Sequence, residues 1–80
     1  MNTSEGIQIV LNGTEVPVKR DMGYEDLICE AFPDVTHSAT IEWEIDYRDS
    51  ETGVERELTV GEVLTCRNGM VVDVSYTDKS

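Results

Sequence analysis

One stretch of this 80-residue chain has a helical period, and the remainder reads as strands and turns. Tyr24, Leu27, Ile28 and Ala31 fall at i, i+3, i+4 and i+7, an apolar stripe that Phe32 widens. Gly23 is placed to be the N-cap, with Glu25 and Asp26 in the first turn, where carboxylates suit the positive end of the helix dipole. Met22 at N′ and Leu27 at N4 are spaced as a hydrophobic staple. Pro33 ends the run, because the residue before a proline is pushed out of the α region. A helix this short rises only about 13 Å and is unstable in isolation. It has to lie on a sheet, and the other segments have to supply it.

Ile7 to Leu11 and Thr14 to Val18 flank Asn12-Gly13, the strongest short hairpin signal. A two-residue turn pairs Leu11 with Thr14, Ile9 with Val16 and Ile7 with Val18 on one mostly apolar face. Pro17 cannot donate to a ladder, so the second strand is expected at a sheet edge. Lys19 to Asp21 then reads as a connection to the helix. Asp34 to Ala39 has no period and reads as a loop that holds His37.

From Thr40 to Arg48 the alternation is strict. Ile41, Trp43, Ile45 and Tyr47 point one way and Glu42, Glu44, Asp46 and Arg48 the other, so one face is buried and one wet. Asp49 to Gly53 is a polar turn, Val54 to Leu58 a weaker return strand, and Thr59 to Glu62 another turn. Val63 to Thr77 reads as a second hairpin centred on Arg67-Asn68-Gly69. A two-residue turn would oppose Cys66 to Val71. A three-residue loop with Gly69 left-handed pairs Cys66 with Met70 and Leu64 with Val72, and this register gathers the apolar residues on one face. The β-branched run Met70 to Tyr76 suits a central strand.

The predicted fold class is α+β: a mixed sheet of four to five strands packed on one helix. Hairpin, helix, long strand, short strand and final strand follow the order of the ubiquitin-like β-grasp, with the first and last strands parallel at the centre; other small α+β arrangements fit the same elements. The expected organisation is a flexible tail over residues 1–6, one domain over 7–76 and a C-terminal tail over 77–80.

The formal charge of −11, from 17 acids against 6 bases, argues against nucleic-acid binding, which needs a basic face. It favours approach to basic protein surfaces, besides keeping a small protein in solution. No apolar run is long enough to span a membrane, and Met1 to Gly6 lacks the features of a signal peptide. The expected compartment is the cytoplasm, where Cys29 and Cys66 are reduced. Both read as small packing residues rather than nucleophiles. No metal-ligand spacing, phosphate loop or nucleophile motif is present, so no metal, cofactor or enzymatic activity is expected. Glu42/Glu44 and Glu55/Glu57 are i, i+2 pairs on a solvated strand face, not a carboxylate site.

Val10 to Gly13, Gly23 to Ile28, Leu58 to Glu62 and Arg67 to Val74, in this order and spacing, resemble the bacterial multiubiquitin family. The likeness runs from about Ile7 to Ser80, and its weight lies in the succession rather than in any one phrase. Members are ubiquitin-like β-grasp domains, typically encoded beside a ThiF-type activating enzyme, a conjugating-enzyme homologue and a metal-dependent processing peptidase. The resemblance implies a protein modifier, activated at its C-terminal carboxylate by adenylation and passed to target proteins.

The tail for that chemistry is Thr77, Asp78, Lys79 and Ser80. The sequence departs from ubiquitin here, since no Gly-Gly ends it: another terminal residue is used, a peptidase trims the tail, or no conjugation occurs. The missing Gly-Gly also argues against a sulfur carrier of the same fold. Glu42, Glu44, Asp46 and Asp73 are the expected partner-docking face, set to steer a basic enzyme. A non-covalent interaction module is the alternative function.

Overall fold

The computed structural model describes residues 6–35 and 39–79. The hairpin is β1 (Ile7–Leu11) and β2 (Thr14–Val18), in the register Leu11↔Thr14, Ile9↔Val16, Ile7↔Val18. Asn12 and Gly13 sit at φ 51° and 85°, the paired positive values of a type I′ turn whose twist matches the strands. The helix α1 spans Tyr24–Ala31, and the Gly23 N–H donates to Asp26 Oδ2 at 3.0 Å. Asp26 also satisfies the dipole, so the first turn is fixed at both its backbone and its charge.

Two elements differ from expectation. Asp21–Gly23, read as connection, is a strand β3, and it pairs antiparallel with β6 (Val63–Thr65) through Met22↔Leu64. Met22 is therefore a buried strand residue as well as the neighbour of the helix start. The second hairpin does not form. The last strand, β7 (Val71–Asp78), pairs with β1 and with β4 (Ile41–Arg48), and not with β6. Gly69 is left-handed as expected, at φ 84°, but its turn docks onto β1. The Gly69 N–H donates to the Gln8 carbonyl at 2.9 Å, and the Gln8 N–H to Asn68 Oδ1 at 2.8 Å. Meanwhile the Cys66 N–H bonds the Arg20 carbonyl at 2.6 Å, which ties the end of β6 to β3 rather than to β7.

The main sheet has the order β2-β1-β7-β4-β5, with β5 at Glu55–Leu58. β1 and β7 run parallel (Val10↔Val71, Leu11↔Val72), and the other pairings are antiparallel. The fold is thus α+β, a mixed five-stranded sheet with one helix, plus the small β3–β6 pair. Among the described residues no helix is long and apolar enough to cross a membrane.

The core gathers Ile9, Leu11, Val18, Leu27, Ile28, Ile45, Val72 and Val74 between sheet and helix. Leu64 and Cys66, both expected to point inward, belong to the same core, and Met22, Leu58 and Met70 extend it. Ile7, Val16 and Trp43 pack against it half-buried. Leu27 is wholly buried, with 0% of its surface exposed. Leu27→Ala is expected to cost about 2–5 kcal/mol, the range for truncating a buried leucine, as checked by urea unfolding; a loss under about 1 kcal/mol would mean the helix is not held by this contact.

Candidate functional site: the acidic sheet face and the C-terminal strand

The face of the sheet turned away from α1 carries the four predicted carboxylates. Strand alternation puts Glu42, Glu44 and Asp46 of β4 there, and antiparallel pairing sets Asp73 of β7 directly opposite Asp46. Glu57 of β5 lies opposite Asp46 on its other side. Sequence alternation alone missed Glu57's part, since it shows a strand's face but not which strand lies alongside. Like charges facing each other across strands destabilise the sheet. Hydrogen bonding and repulsion from Asp46 raise the Glu44 carboxyl above its ordinary range, with a further push from Glu57. Arg48, opposite Glu55, and Lys79, whose Nζ lies 3.0 Å from Glu42 Oε1, border the cluster. The result is a predominantly negative sheet face, able to attract a cation-bearing partner. Among the described residues no group of three or more His, Cys, Asp or Glu could hold a metal ion; His37 lies outside them.

The predicted tail is placed differently. Thr77 and Asp78 are the last residues of β7, paired with Glu42 and Ile41 of β4, and the Lys79 N–H donates to the Thr40 carbonyl at 2.8 Å. The domain boundary expected at Tyr76 therefore moves outward. The ladder needs only backbone groups, so the polar side chains of Thr77 and Asp78 do not loosen it. Ser80 lies outside the described residues.

Three aromatic rings stand at this end of the sheet, on the helix side. Tyr76 meets Phe32 edge-on at 5.3 Å between centroids and Trp43 at 5.1 Å, and Phe32 and Trp43 are 5.8 Å apart. Tyr24 Oη donates to the Trp43 carbonyl at 2.9 Å. Burial, then Glu57 and Glu44, raise the Tyr24 phenol above its usual value, which keeps that proton in place.

The cysteines part company. Cys66 is buried as expected, and burial, with Asp21 nearby, pushes its thiol up to about 11. Cys29, expected to pack, is exposed on α1 beside a groove that Val18 and Met22 also line. Comparison of the chain with models of protein families, with curated proteins and with solved structures gives no match.

Three outcomes follow from the geometry. Asp73→Asn is expected to raise stability by roughly 0.2–1 kcal/mol, the worth of one cross-strand pair, with the gain gone near 1 M salt, where screening acts over about 3 Å. Because the Glu44 carboxyl is raised by Asp46, its effect favours the folded state below the ordinary glutamate value and is lost as pH rises through the raised one. Asp46→Asn should accordingly stabilise the protein at neutral pH and lose that advantage on acidification, as followed by thermal melts across pH. With an aromatic disulfide reagent near neutral pH, Cys29 should react in the folded protein, and Cys66 only as the protein unfolds.

Proposed function

We propose that the chain is a ubiquitin-like β-grasp modifier, activated at its C-terminal carboxylate by a ThiF-type enzyme and conjugated to target proteins. What supports this reading is the layout. A parallel β1–β7 pair lies at the centre, one helix covers one face, and the last strand runs out past β1 toward the C-terminal end. The resemblance to the multiubiquitin family points the same way. In this reading the carboxylate attacks the α-phosphate of ATP and releases pyrophosphate. The resulting acyl-adenylate then loses AMP to an acceptor nucleophile. The conjugating-enzyme homologue and the processing peptidase act after and before that step.

The ladder sets the cost of presenting the terminus. Freeing Thr77 to Lys79 from β4 breaks the Glu42↔Thr77 pairing and the Lys79–Thr40 bond. Backbone bonds are worth about 0.5–1.5 kcal/mol each in net terms, and the exposed Lys79–Glu42 ion pair adds at most about 1 kcal/mol. The sum is a few kcal/mol, and the chain entropy regained, roughly 1–2 kcal/mol per freed residue, opposes it, so detachment is thermally accessible. Contacts in an adenylating site can offset the remainder. The acidic face is suited to steering a basic activating enzyme toward the terminus, an effect on association rate more than on affinity.

The same ladder favours a second reading, a non-covalent interaction module, because the segment that conjugation needs loose is held in the sheet. Protein recovered from its native host separates the two. The modifier reading expects acceptor peptides joined by isopeptide bonds to the C-terminal residues of this chain, and pyrophosphate exchange by the cognate activating enzyme that stops when the terminal carboxylate is amidated. Free chain alone, with exchange indifferent to amidation, would overturn it and leave the interaction module.

A further inference from the structure

The sheet closes most of its outward backbone groups by identifiable devices. Along β2 the outward positions are Glu15 and Pro17, since Leu11↔Thr14 and Ile9↔Val16 bond to β1, and Pro17 has no N–H to offer. β5 is only four residues long, and its outward positions are Glu55 and Glu57. Short, charged edges and prolines at edges are the usual guards against unwanted strand pairing. On the β1 side of β7, the Val74 N–H donates to Asn12 Oδ1 at 2.7 Å, and Asn12 Nδ2 donates to the Val74 carbonyl at 3.0 Å. The Asn12 carboxamide thus takes the place of the next peptide group of β1.

Beyond Val74 that side of β7 changes character. β1 has already turned away at Asn12-Gly13, while β7 continues through Asp78 against β4 alone. Backbone groups alternate sides along a strand. Met70 and Val72 carbonyls face β1, where the Val10 and Asn12 N–H groups bond them, and Lys79 faces β4. Tyr76 therefore directs both its N–H and its carbonyl away from β4. Among the described residues neither has a hydrogen-bond partner. Tyr76 as a whole residue is 42% exposed, so this edge is open to solvent.

We propose that the Tyr76 edge of β7 receives an extended, cationic segment of another polypeptide as an added strand. Period two fixes what such a segment carries. Its helix-side residues meet the exposed Tyr76 ring, with Phe32 in edge contact behind it, and should be apolar. Its outer-side residues lie beside Ser75 and Thr77; across β7 stands Glu44, with Asp73 and Asp46 next along the same face and Glu42 already ion-paired with Lys79, so they should be lysine or arginine. Charge decides between partners. A second copy would bring −11 against −11 with the carboxylate faces side by side, whereas a cationic strand is drawn to the same field. The site does not depend on whether the terminus is ever conjugated.

The test uses the whole chain, ¹⁵N-labelled, and an acetylated, amidated hexapeptide of alternating lysine and valine, with the glutamate–valine hexapeptide as control. The expected result is saturable binding of the cationic peptide at low salt, with amide exchange at Tyr76 slowed at least about tenfold on saturation. The acidic peptide should leave it unchanged. Tyr76→Pro removes the donor on the open side while sparing the β4 ladder, and should weaken binding at least tenfold. Tyr76→Ala keeps the donor and should weaken it less.

Should Tyr76→Pro fail to fold, the wild-type exchange measurement decides alone. Four results would overturn the proposal: no binding at millimolar peptide; shifts confined to the carboxylate face with Tyr76 exchange unaltered; protection at Glu15 or Glu57 instead; or a Tyr76 amide already protected in the free protein, whether by its own chain or by self-association seen in sedimentation.

Discussion

The parallel contact between β1 and β7 is what the rest of the structure depends on. It joins residues from the two ends of the sequence, Val10 with Val71 and Leu11 with Val72, and so closes nearly the longest loop the chain can make. Closure entropy grows slowly with loop length, so the long reach adds little beyond what a mid-length loop would cost. The return is large, because it places Ile9, Leu11, Val72 and Val74 side by side under Leu27 and Ile28. Without it, the β1–β2 hairpin would be a lone two-stranded ribbon, marginal in water, cut off from the β7-β4-β5 sheet. α1, too short to persist alone, would have nothing to lie on.

Much of this was legible in the sequence, and the successes share a cause. The first hairpin's register follows from a two-residue Asn-Gly turn, and β4's faces from strict alternation; both signals are local and carry their own geometry. The errors share one too. The pairing of β3 with β6 joins two three-residue segments far apart in sequence, neither long enough to show a period. Asn68-Gly69 gives the left-handed turn a hairpin needs, but nothing local says whether the strand before it pairs with the strand after it. Here Arg20 and Gln8, both distant, take the hydrogen bonds that a hairpin would have used. Thr77 and Asp78 read as loose because they lack apolar side chains, although a ladder to β4 asks only for backbone.

The candidate site was half visible for the same reason. Alternation placed Glu42, Glu44 and Asp46 on the wet face, and Asp73 joined them because β7 does lie alongside β4. That the face tolerates Asp46 opposite both Asp73 and Glu57 is a cost to folding, met by a core of fully buried side chains on the other side of the same strands. A surface arranged for stability alone would alternate its signs. The Tyr76 edge was invisible, because an open edge is defined by where a neighbouring strand stops.

Asn12 has a further bearing, on how the protein ages. An asparagine followed by glycine is the pair most prone to lose its side-chain amide, by attack of the glycine nitrogen on the carboxamide carbon. In this turn the carboxamide is held on both its oxygen and its nitrogen by Val74, which keeps it from swinging back toward Gly13. Were the amide lost, the new carboxylate could still accept from the Val74 N–H but could no longer donate to the Val74 carbonyl. Two acceptors would then face each other at the tip of the central strand pair, in a chain that already carries a charge of −11. The bond that finishes the β1–β7 junction is thus also what shelters one of the chain's two Asn-Gly pairs.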